Sequence, residues 1–228
     1  MKEKIKLAIF DFDGTLVDSE PNYDRSSDLL YEQLGISLSE DQRARMVGIG
    51  TQSFADILIR DFGLSISVAE LAALSDRLYL EIARQETPVF APMNELLQRL
   101  HKAGIRCAVA SGSSQGVLDE IIDICGFGPY LSGVYSADLV KKGKPDPDIF
   151  LYTAEKLGAK PHECLVFEDS MPGIFAAHQA GMRAIAVPVE EQFAHPVFQS
   201  AWLTYPGAQN LSVKSVMYAL GLPYTQHI

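Results

Sequence analysis

Leu7-Ala8-Ile9-Phe10-Asp11-Phe12-Asp13-Gly14 is the stretch that decides the fold of this chain. An apolar run that ends at a glycine turn predicts a buried strand of a parallel sheet. Because side chains at i and i+2 of an extended chain point the same way, Asp11 and Asp13 converge where this strand ends. Gly14 then permits a turn or a close approach that a Cβ would obstruct. Two convergent carboxylates repel each other unless a cation or a shared proton lies between them, so the pattern suits a Mg²⁺ site beside a carboxylate nucleophile.

Acidic pairs of this kind also occur without any chemical role. For an isolated D-x-D, an ordinary acidic turn after a strand is the better interpretation. An EF-hand loop fits the pair poorly, because its glycine belongs at position six and a helix should lead into it. The rest of the chain therefore decides between a turn and a site.

The composition of the chain limits its class and its partners. Its 228 residues are 47% hydrophobic and 21% charged, as in an ordinary soluble protein with one domain or with a core and a small insert. The net charge of −10, from 19 basic and 29 acidic residues, argues against nucleic acid or an anionic membrane as a partner. No apolar run approaches the length of a transmembrane helix, and the run before Asp11 is too short for an export signal.

The cysteines indicate the compartment. Cys107, Cys125 and Cys164 lie singly in apolar segments without C-x-x-C spacing. This pattern predicts buried free thiols in a reducing environment. We therefore expect a cytoplasmic protein, a monomer that binds neither nucleic acid nor a membrane.

From about residue 88 onward, strand-like runs alternate with helical patterns, which predicts a doubly wound parallel sheet, an α/β Rossmann-like core. The predicted strands are Ile105–Ala110, Gly133–Ser136, Cys164–Phe167 and Arg183–Val189. The predicted helices are Pro92–Ala103, Gln115–Cys125, Asp148–Leu157 and Gly173–Ala180.

Residues 18–87 differ from the rest because helical patterns follow one another there without a convincing strand. The predicted helices are Pro21–Leu34, Ser53–Phe62 and Val68–Gln85, with Asp18 and Ser19 as possible caps of the first. We call residues 18–87 the helical insertion. We expect it to interrupt a core domain formed by residues 1–17 and 88–228.

Chemically useful residues follow three further strands, and ligands of open parallel sheets bind at such strand ends. Ser111-Gly112 precedes a helix, where a hydroxyl and free N–H groups can hold an anion, although Ser113 and Ser114 also fit a plain helix cap. Lysine runs are usually solvated, but Lys144 stands directly before Pro145-Asp146-Pro147, which fix the backbone around it and let it neutralise a phosphate. Glu168-Asp169 is a second acidic pair, which the dipole of the following helix would also favour.

Together these four pieces resemble the motifs of the haloacid dehalogenase-like superfamily. Asp11-Phe12-Asp13-Gly14-Thr15 is similar to its first motif and Ser111 to its second. Lys144 in Gly143-Lys144-Pro145-Asp146-Pro147 is similar to the third, and Glu168-Asp169-Ser170 to the fourth. The helical insertion is similar to the cap domain of the β-phosphoglucomutase-like and sugar-phosphatase subgroup. The resemblance implies Mg²⁺-dependent phosphoryl transfer through an aspartyl-phosphate.

The resemblance also implies a role for each acidic residue. Asp11 would attack phosphorus as a carboxylate, without a base, because its reference pKa is about 3.9. Mg²⁺ would be held by Asp11, the backbone carbonyl of Asp13 and Asp169, with Glu168 acting through a coordinated water. Asp13 would donate a proton to the leaving oxygen and later take one from water, which requires a raised pKa.

The remaining roles concern the phosphate and the rest of the substrate. Ser111, the Gly112 N–H and Lys144 would hold the phosphoryl oxygens. Asp18-Ser19-Glu20-Pro21 resembles the cap entry of sugar and polyol phosphatases, which makes Glu20 a candidate for recognising substrate hydroxyls. Gly50 and Thr51, in the loop between two insertion helices, are candidates to face the substrate.

Several functions compete for these residues. The favoured one is a phosphatase of a small phosphorylated metabolite, a sugar or polyol phosphate. The alternative is a phosphosugar mutase, which this chain fits less well because Tyr23 and the run Val47-Gly48-Ile49-Gly50-Thr51 stand where mutase relatives carry a histidine and basic residues. A signalling receiver fails on the order of its acidic residues, and a dehalogenase would lack the metal apparatus.

Overall fold

The computed structural model describes residues 4–46 and 49–225. Within them the chain forms one six-stranded sheet in which every neighbouring pair is parallel, in the order β3-β2-β1-β4-β5-β6. The strands are β1 (Leu7–Phe10), β2 (Arg106–Ser111), β3 (Gly133–Ser136), β4 (Cys164–Glu168), β5 (Arg183–Ala186) and β6 (Leu203–Thr204). The predicted doubly wound α/β core is confirmed.

Helices cover both faces of this sheet because its strands are apolar on both sides. In β1, Ala8 and Phe10 join one hydrophobic cluster while Leu7 and Ile9 join the other, as the two-residue repeat of a strand requires. One face carries α5 (Ala91–Lys102), α6 (Gln115–Cys125) and α10 (Val213–Ala219). The other carries α7 (Asp148–Lys156), α8 (Met171–Gln179) and α9 (Pro196–Gln199).

The helical insertion lies between β1 and β2 and has a hydrophobic cluster of its own. It contains α1 (Glu20–Leu34), α2 (Glu40–Ala44), α3 (Thr51–Phe62) and α4 (Val68–Ala83). Helix α4 packs against both α1 and α3, burying Leu30, Leu58 and Leu71. As predicted, no strand occurs among the described residues of this segment.

The two connections to the insertion lie side by side. Val17 and Val89 form an isolated antiparallel bridge, and the Asp18 N–H donates to the Pro88 carbonyl over 2.9 Å. The chain therefore leaves and re-enters the core at nearly the same place.

Some boundaries differ from the sequence predictions. Helix α2 was not predicted, because five residues are too few for a hydrophobic repeat; a capping box between Ser39 and Gln42 starts it instead. Ser19 occupies the N-cap position of α1, but its side chain makes no capping hydrogen bond. Strand β5 ends at Ala186 rather than Val189, and β6, α9 and α10 were not predicted.

Among the described residues, no helix is long and apolar enough to cross a membrane.

Candidate active site

A cleft of about 950 Å³ lies at the carboxyl edge of the sheet, and both the core and the helical insertion line it. Strand β1 has β2 on one side and β4 on the other, so the ends of these three neighbours meet there. Asp11 follows β1, Ser111 ends β2 and Glu168 ends β4. The strand order reverses at this point, which is where ligands of open parallel sheets bind.

Lys144 joins two of the strand-end carboxylates. Its Nζ lies 2.5 Å from Asp11 Oδ1 and 2.5 Å from Glu168 Oε1, and all three side chains are at least nine-tenths buried. Burial alone would lower the pKa of Lys144, but the attraction of Asp11 and Glu168 outweighs it and holds that pKa above its usual value. The lysine thus lies beside the predicted nucleophile.

Asp11, Glu168 and Asp169 place carboxylate oxygens within 4.8 Å of one another. Burial raises the pKa of Asp11 to about 8, against the attraction of Lys144, and raises that of Asp169 well above its usual value. The expected reference value near 3.9 therefore does not describe Asp11 in the folded protein without a further cation. Since one lysine cannot balance three carboxylates, the cluster calls for positive charge.

The donors of this cluster fit Mg²⁺, which prefers carboxylate oxygens. Space for the carboxylates is provided by two glycines: a Cβ on Gly14 would overlap Asp169 Oδ2, and one on Gly173 would overlap Glu168 Oε1. The backbone of Gly14 also has a φ of 71°, which few residues other than glycine adopt. The carboxylate of Asp13 lies outside the cluster.

The side chain of Asp13 turns towards two serines after β2. Ser113 Oγ donates to Asp13 Oδ2 over 2.6 Å, and Ser111 Oγ lies 3.4 Å from the same oxygen. Asp13 Oδ1 is buried without a hydrogen-bond partner among the described residues. Burial raises the pKa of Asp13, and the hydrogen bond from Ser113 opposes that rise. A raised pKa is what a general acid requires.

Ser113 is a site residue that sequence reasoning missed. Its position before a helix indicated only a cap, and Ser114 has that role: Ser114 Oγ accepts from the Val117 N–H of α6. The Ser113 N–H donates to Ser111 Oγ over 3.1 Å. The two serines therefore hold each other beside Asp13.

The insertion reaches this loop through its backbone. Gly50 is the N-cap of α3, and a Cβ added to it would lie 3.2 Å from the Gly112 carbonyl oxygen. Thr51 begins α3 and lines the cleft. Val47 and Gly48, part of the run compared with the mutases, lie outside the described residues.

The rim of the cleft is acidic. Glu20 lines it together with Asp18, Asp24 and, across the opening, Glu190 and Glu191 of the core. Burial raises the pKa of Glu20, and repulsion from Asp24, Asp18 and Glu191 adds to the rise. The sequence did not single out Glu190 and Glu191, because they follow a strand without any motif around them.

Among the described residues of the insertion that line the cleft, Arg43 is the one cation. Its Nη1 lies 2.9 Å from Asp28 Oδ1, and its guanidinium lies 5.0 Å from the centre of the Tyr31 ring.

The three cysteines are free, as predicted, although Cys125 is only partly buried.

The chain matches the family model for haloacid dehalogenase-like hydrolases over residues 5–181. It is 27% identical to hexitol phosphatase B of Escherichia coli (strain K12) over 94% of this chain and 97% of that protein. It is 30% identical to a phosphoglycolate phosphatase of Vibrio parahaemolyticus over 87% of this chain and 90% of that protein. Among solved structures, β-phosphoglucomutase of Clostridium difficile has the same fold, with a TM-score of 0.81 at 22% identity over 95% of this chain and 97% of that one.

Proposed function

The chain belongs to the haloacid dehalogenase-like hydrolases and is a phosphatase, and from that premise we propose that it hydrolyses a sugar or polyol phosphate with Mg²⁺, through an aspartyl-phosphate. The observation that carries the proposal is the environment of Asp11. Its buried carboxylate lies in the cleft, held by Lys144 and flanked by Glu168 and Asp169. A nucleophile held in this way needs no reorientation before it attacks phosphorus.

In the first step, Asp11 attacks phosphorus and the bond to the leaving oxygen breaks. Asp11, Glu168 and Asp169 would hold Mg²⁺, which when bound favours the ionised form of Asp11 and offsets charge on the phosphoryl oxygens. Ser111, the Gly112 N–H and Lys144 bind those oxygens as negative charge spreads over them.

Asp13 moves the proton in both steps. It gives its proton to the leaving oxygen, and in the second step it takes one from the water that attacks the aspartyl-phosphate. The desolvated setting that raises its pKa favours the protonated form needed at the start. We propose that the helical insertion is a cap domain that excludes bulk water during the first step.

The acidic rim supports a substrate without a second anionic group. The two phosphatase relatives carry the names of different substrates, a hexitol phosphate and phosphoglycolate, and the latter has a carboxylate. In this chain the carboxylates of Glu20, Asp24 and Glu191 would face the organic part of the substrate. Carboxylates accept hydrogen bonds from hydroxyl groups and repel an anion, so a polyol fits and a carboxylate or second phosphate does not.

A phosphosugar mutase is the alternative, and it shares this fold. A mutase must also bind a second phosphate, yet the rim of the cleft carries Glu20, Asp24 and Glu191. Incubation with β-glucose 1-phosphate and a trace of the bisphosphate separates the two functions. Inorganic phosphate is expected to form faster than glucose 6-phosphate; the reverse order would make the chain a mutase.

A screen of phosphorylated metabolites tests the main proposal. Released inorganic phosphate is measured with Mg²⁺ and with a chelator for sorbitol 6-phosphate, glucose 6-phosphate and glycerol 3-phosphate. Phosphoglycolate and fructose 1,6-bisphosphate, which carry a second anionic group, are the comparison. Activity that survives the chelator would contradict the metal requirement, and a preference for the compounds with a second anionic group would contradict the substrate class.

We also propose, from composition and free cysteines, a cytoplasmic monomer that binds neither nucleic acid nor a membrane.

A further inference from the structure

A chain of hydroxyl groups crosses from the helical insertion to the predicted acid–base. Tyr23, on α1, places its hydroxyl 2.9 Å from Ser113 Oγ, and Ser113 Oγ lies 2.6 Å from Asp13 Oδ2. Tyr23 belongs to the insertion, whereas Ser113 and Asp13 belong to loops at the edge of the sheet. Contact between insertion and core is therefore linked to the side chain of Asp13.

The chemistry of the three groups decides which one donates in each of these hydrogen bonds. A serine hydroxyl has one hydrogen, and an ionised Asp13 has none to give, so Ser113 Oγ donates to Asp13 Oδ2 over 2.6 Å. Ser113 Oγ must then accept from the phenol, so Tyr23 donates to Ser113 and Ser113 donates to Asp13. Because Oδ2 is occupied as an acceptor, a proton on Asp13 belongs on Oδ1.

Asp13 Oδ1 is the oxygen left for the substrate. It is buried and has no hydrogen-bond partner among the described residues, while Asp13 itself lines the cleft. A buried polar atom without a partner is costly, and a substrate oxygen would supply the missing partner.

We propose that Tyr23 is a positioning residue for proton transfer: through Ser113 it fixes Asp13 so that Oδ1 exchanges the proton with the substrate when the insertion is docked on the core. This inference rests on the proposed function. In the first step the Asp11–phosphorus bond forms, the bond to the leaving oxygen breaks and the Oδ1 proton moves to that oxygen. In the second step the water oxygen bonds to phosphorus, the Asp11–phosphorus bond breaks and the water proton moves to Oδ1.

Tyr79 provides a matched control within the same site. Its ring stacks on that of Tyr23 with a centroid distance of 4.2 Å and an interplanar angle of 23°. Its buried hydroxyl makes no hydrogen bond to Ser113, and none within 3.5 Å to any other described residue, although Ser19 is close enough to oppose the rise of its pKa. Both Tyr23→Phe and Tyr79→Phe therefore keep the aromatic ring, but only Tyr23→Phe removes a hydroxyl that is hydrogen-bonded to Ser113.

The experiment measures kcat and KM of these two variants, with an alkyl phosphate and with p-nitrophenyl phosphate. The alkyl leaving group needs a proton, whereas nitrophenol, with a pKa of about 7, needs little help. We expect Tyr23→Phe to lower kcat/KM, which reports the first step, about 10-fold on the alkyl substrate and less on the aryl substrate. Losses of kcat are less informative, because the second step needs Asp13 with both substrates. Tyr79→Phe is expected to stay near wild type on both.

Ser113→Ala completes the test as a double-mutant cycle. If Tyr23 acts through Ser113, adding Tyr23→Phe to Ser113→Ala lowers kcat no further. If Tyr23→Phe does not fold, as judged by thermal unfolding, the same alkyl–aryl split in Ser113→Ala decides the matter. Equal losses of kcat/KM on both substrates, or Tyr23→Phe behaving as Tyr79→Phe, would overturn the inference.

The two proposals fail in different ways. A wild-type protein with no Mg²⁺-dependent, Asp11-dependent phosphatase activity would refute the proposed function. Wild-type activity together with an unaffected Tyr23→Phe variant would refute the positioning role alone.

Discussion

The core and the helical insertion contribute to the cleft in different ways. The core supplies charged groups from the ends of neighbouring strands, and Lys144 ties two of these groups together at 2.5 Å. The insertion supplies side chains from α1, α2 and α3, whose positions depend on how those helices rest on the core. This difference agrees with the proposal that groups at the sheet edge perform the chemistry and that side chains of the insertion select the substrate.

The strongest test of this division is Asp11→Asn in the core. The amide keeps the size of the side chain but is a poor nucleophile, so turnover of every substrate should fall to background, by at least about 10³-fold. Asp123→Asn, the same change on an exposed position of α6, is the control. A folded Asp11→Asn variant that hydrolyses any substrate at a measurable fraction of the wild-type rate would exclude the aspartyl-phosphate.

Asp13→Asn should discriminate between substrates by their leaving groups. Alkyl phosphate cleavage should fall about 10²- to 10⁴-fold, because the leaving oxygen is no longer protonated, while aryl phosphate cleavage should fall less. Water attack on the aspartyl-phosphate still needs Asp13, so a burst of nitrophenol followed by slow turnover is expected, with phosphate found on Asp11 by mass spectrometry. Equal losses without a burst would mean that Asp13 serves mainly the metal site.

Glu20→Gln tests the insertion and should change selectivity rather than chemistry. Removing one rim carboxylate reduces repulsion of anionic substrates, so kcat/KM for phosphoglycolate relative to sorbitol 6-phosphate should rise about three- to ten-fold. Glu81→Gln, an exposed position of α4, controls for net charge. An unchanged ratio would show that the rim does not select the substrate.

Glu120→Gln should have the smallest effect. Arg84, just after α4, contacts Glu120 of α6 through two nitrogens, at 2.5 and 3.0 Å, but both side chains are substantially exposed. Exposed ion pairs contribute little, so kcat and KM should change less than about two-fold. A larger change would mean that this surface pair, and not the buried hydroxyl chain from Tyr23, governs docking of the insertion.

The sequence predicted the part of the site that depends on strand ends. Gly14 and the prolines after Lys144 mark fixed backbone, so local patterns place Asp11 and Lys144. The two-residue spacing of Asp11 and Asp13 predicts that their carboxylates converge, but Asp13 turns to the serines after β2 and only Asp11 joins the acidic cluster. The carboxyl ends of parallel strands share one edge, which is why strand order alone groups Glu168 with Asp11.

The missed features depend on distant partners or on short elements. Tyr23 and Ser113 are 90 residues apart, and their contact exists only because α1 rests on the loop after β2. Ser113 and Ser114 are identical neighbours, and only the start of α6 shows which one caps it. Helix α2 and the two-residue strand β6 are too short to show a periodic pattern.

The paired connections at Val17 and Val89 make the insertion an exchangeable part. Because the Asp18 N–H already donates to the Pro88 carbonyl, the two ends of the insertion are held together by the core itself. Each doubling of the length of the segment between them adds only about 0.6 kcal/mol to the entropic cost of bringing its two ends together. Evolution can therefore lengthen, trim or replace this segment, and so try new substrates, while the strand register and the carboxylates at the sheet edge stay as they are.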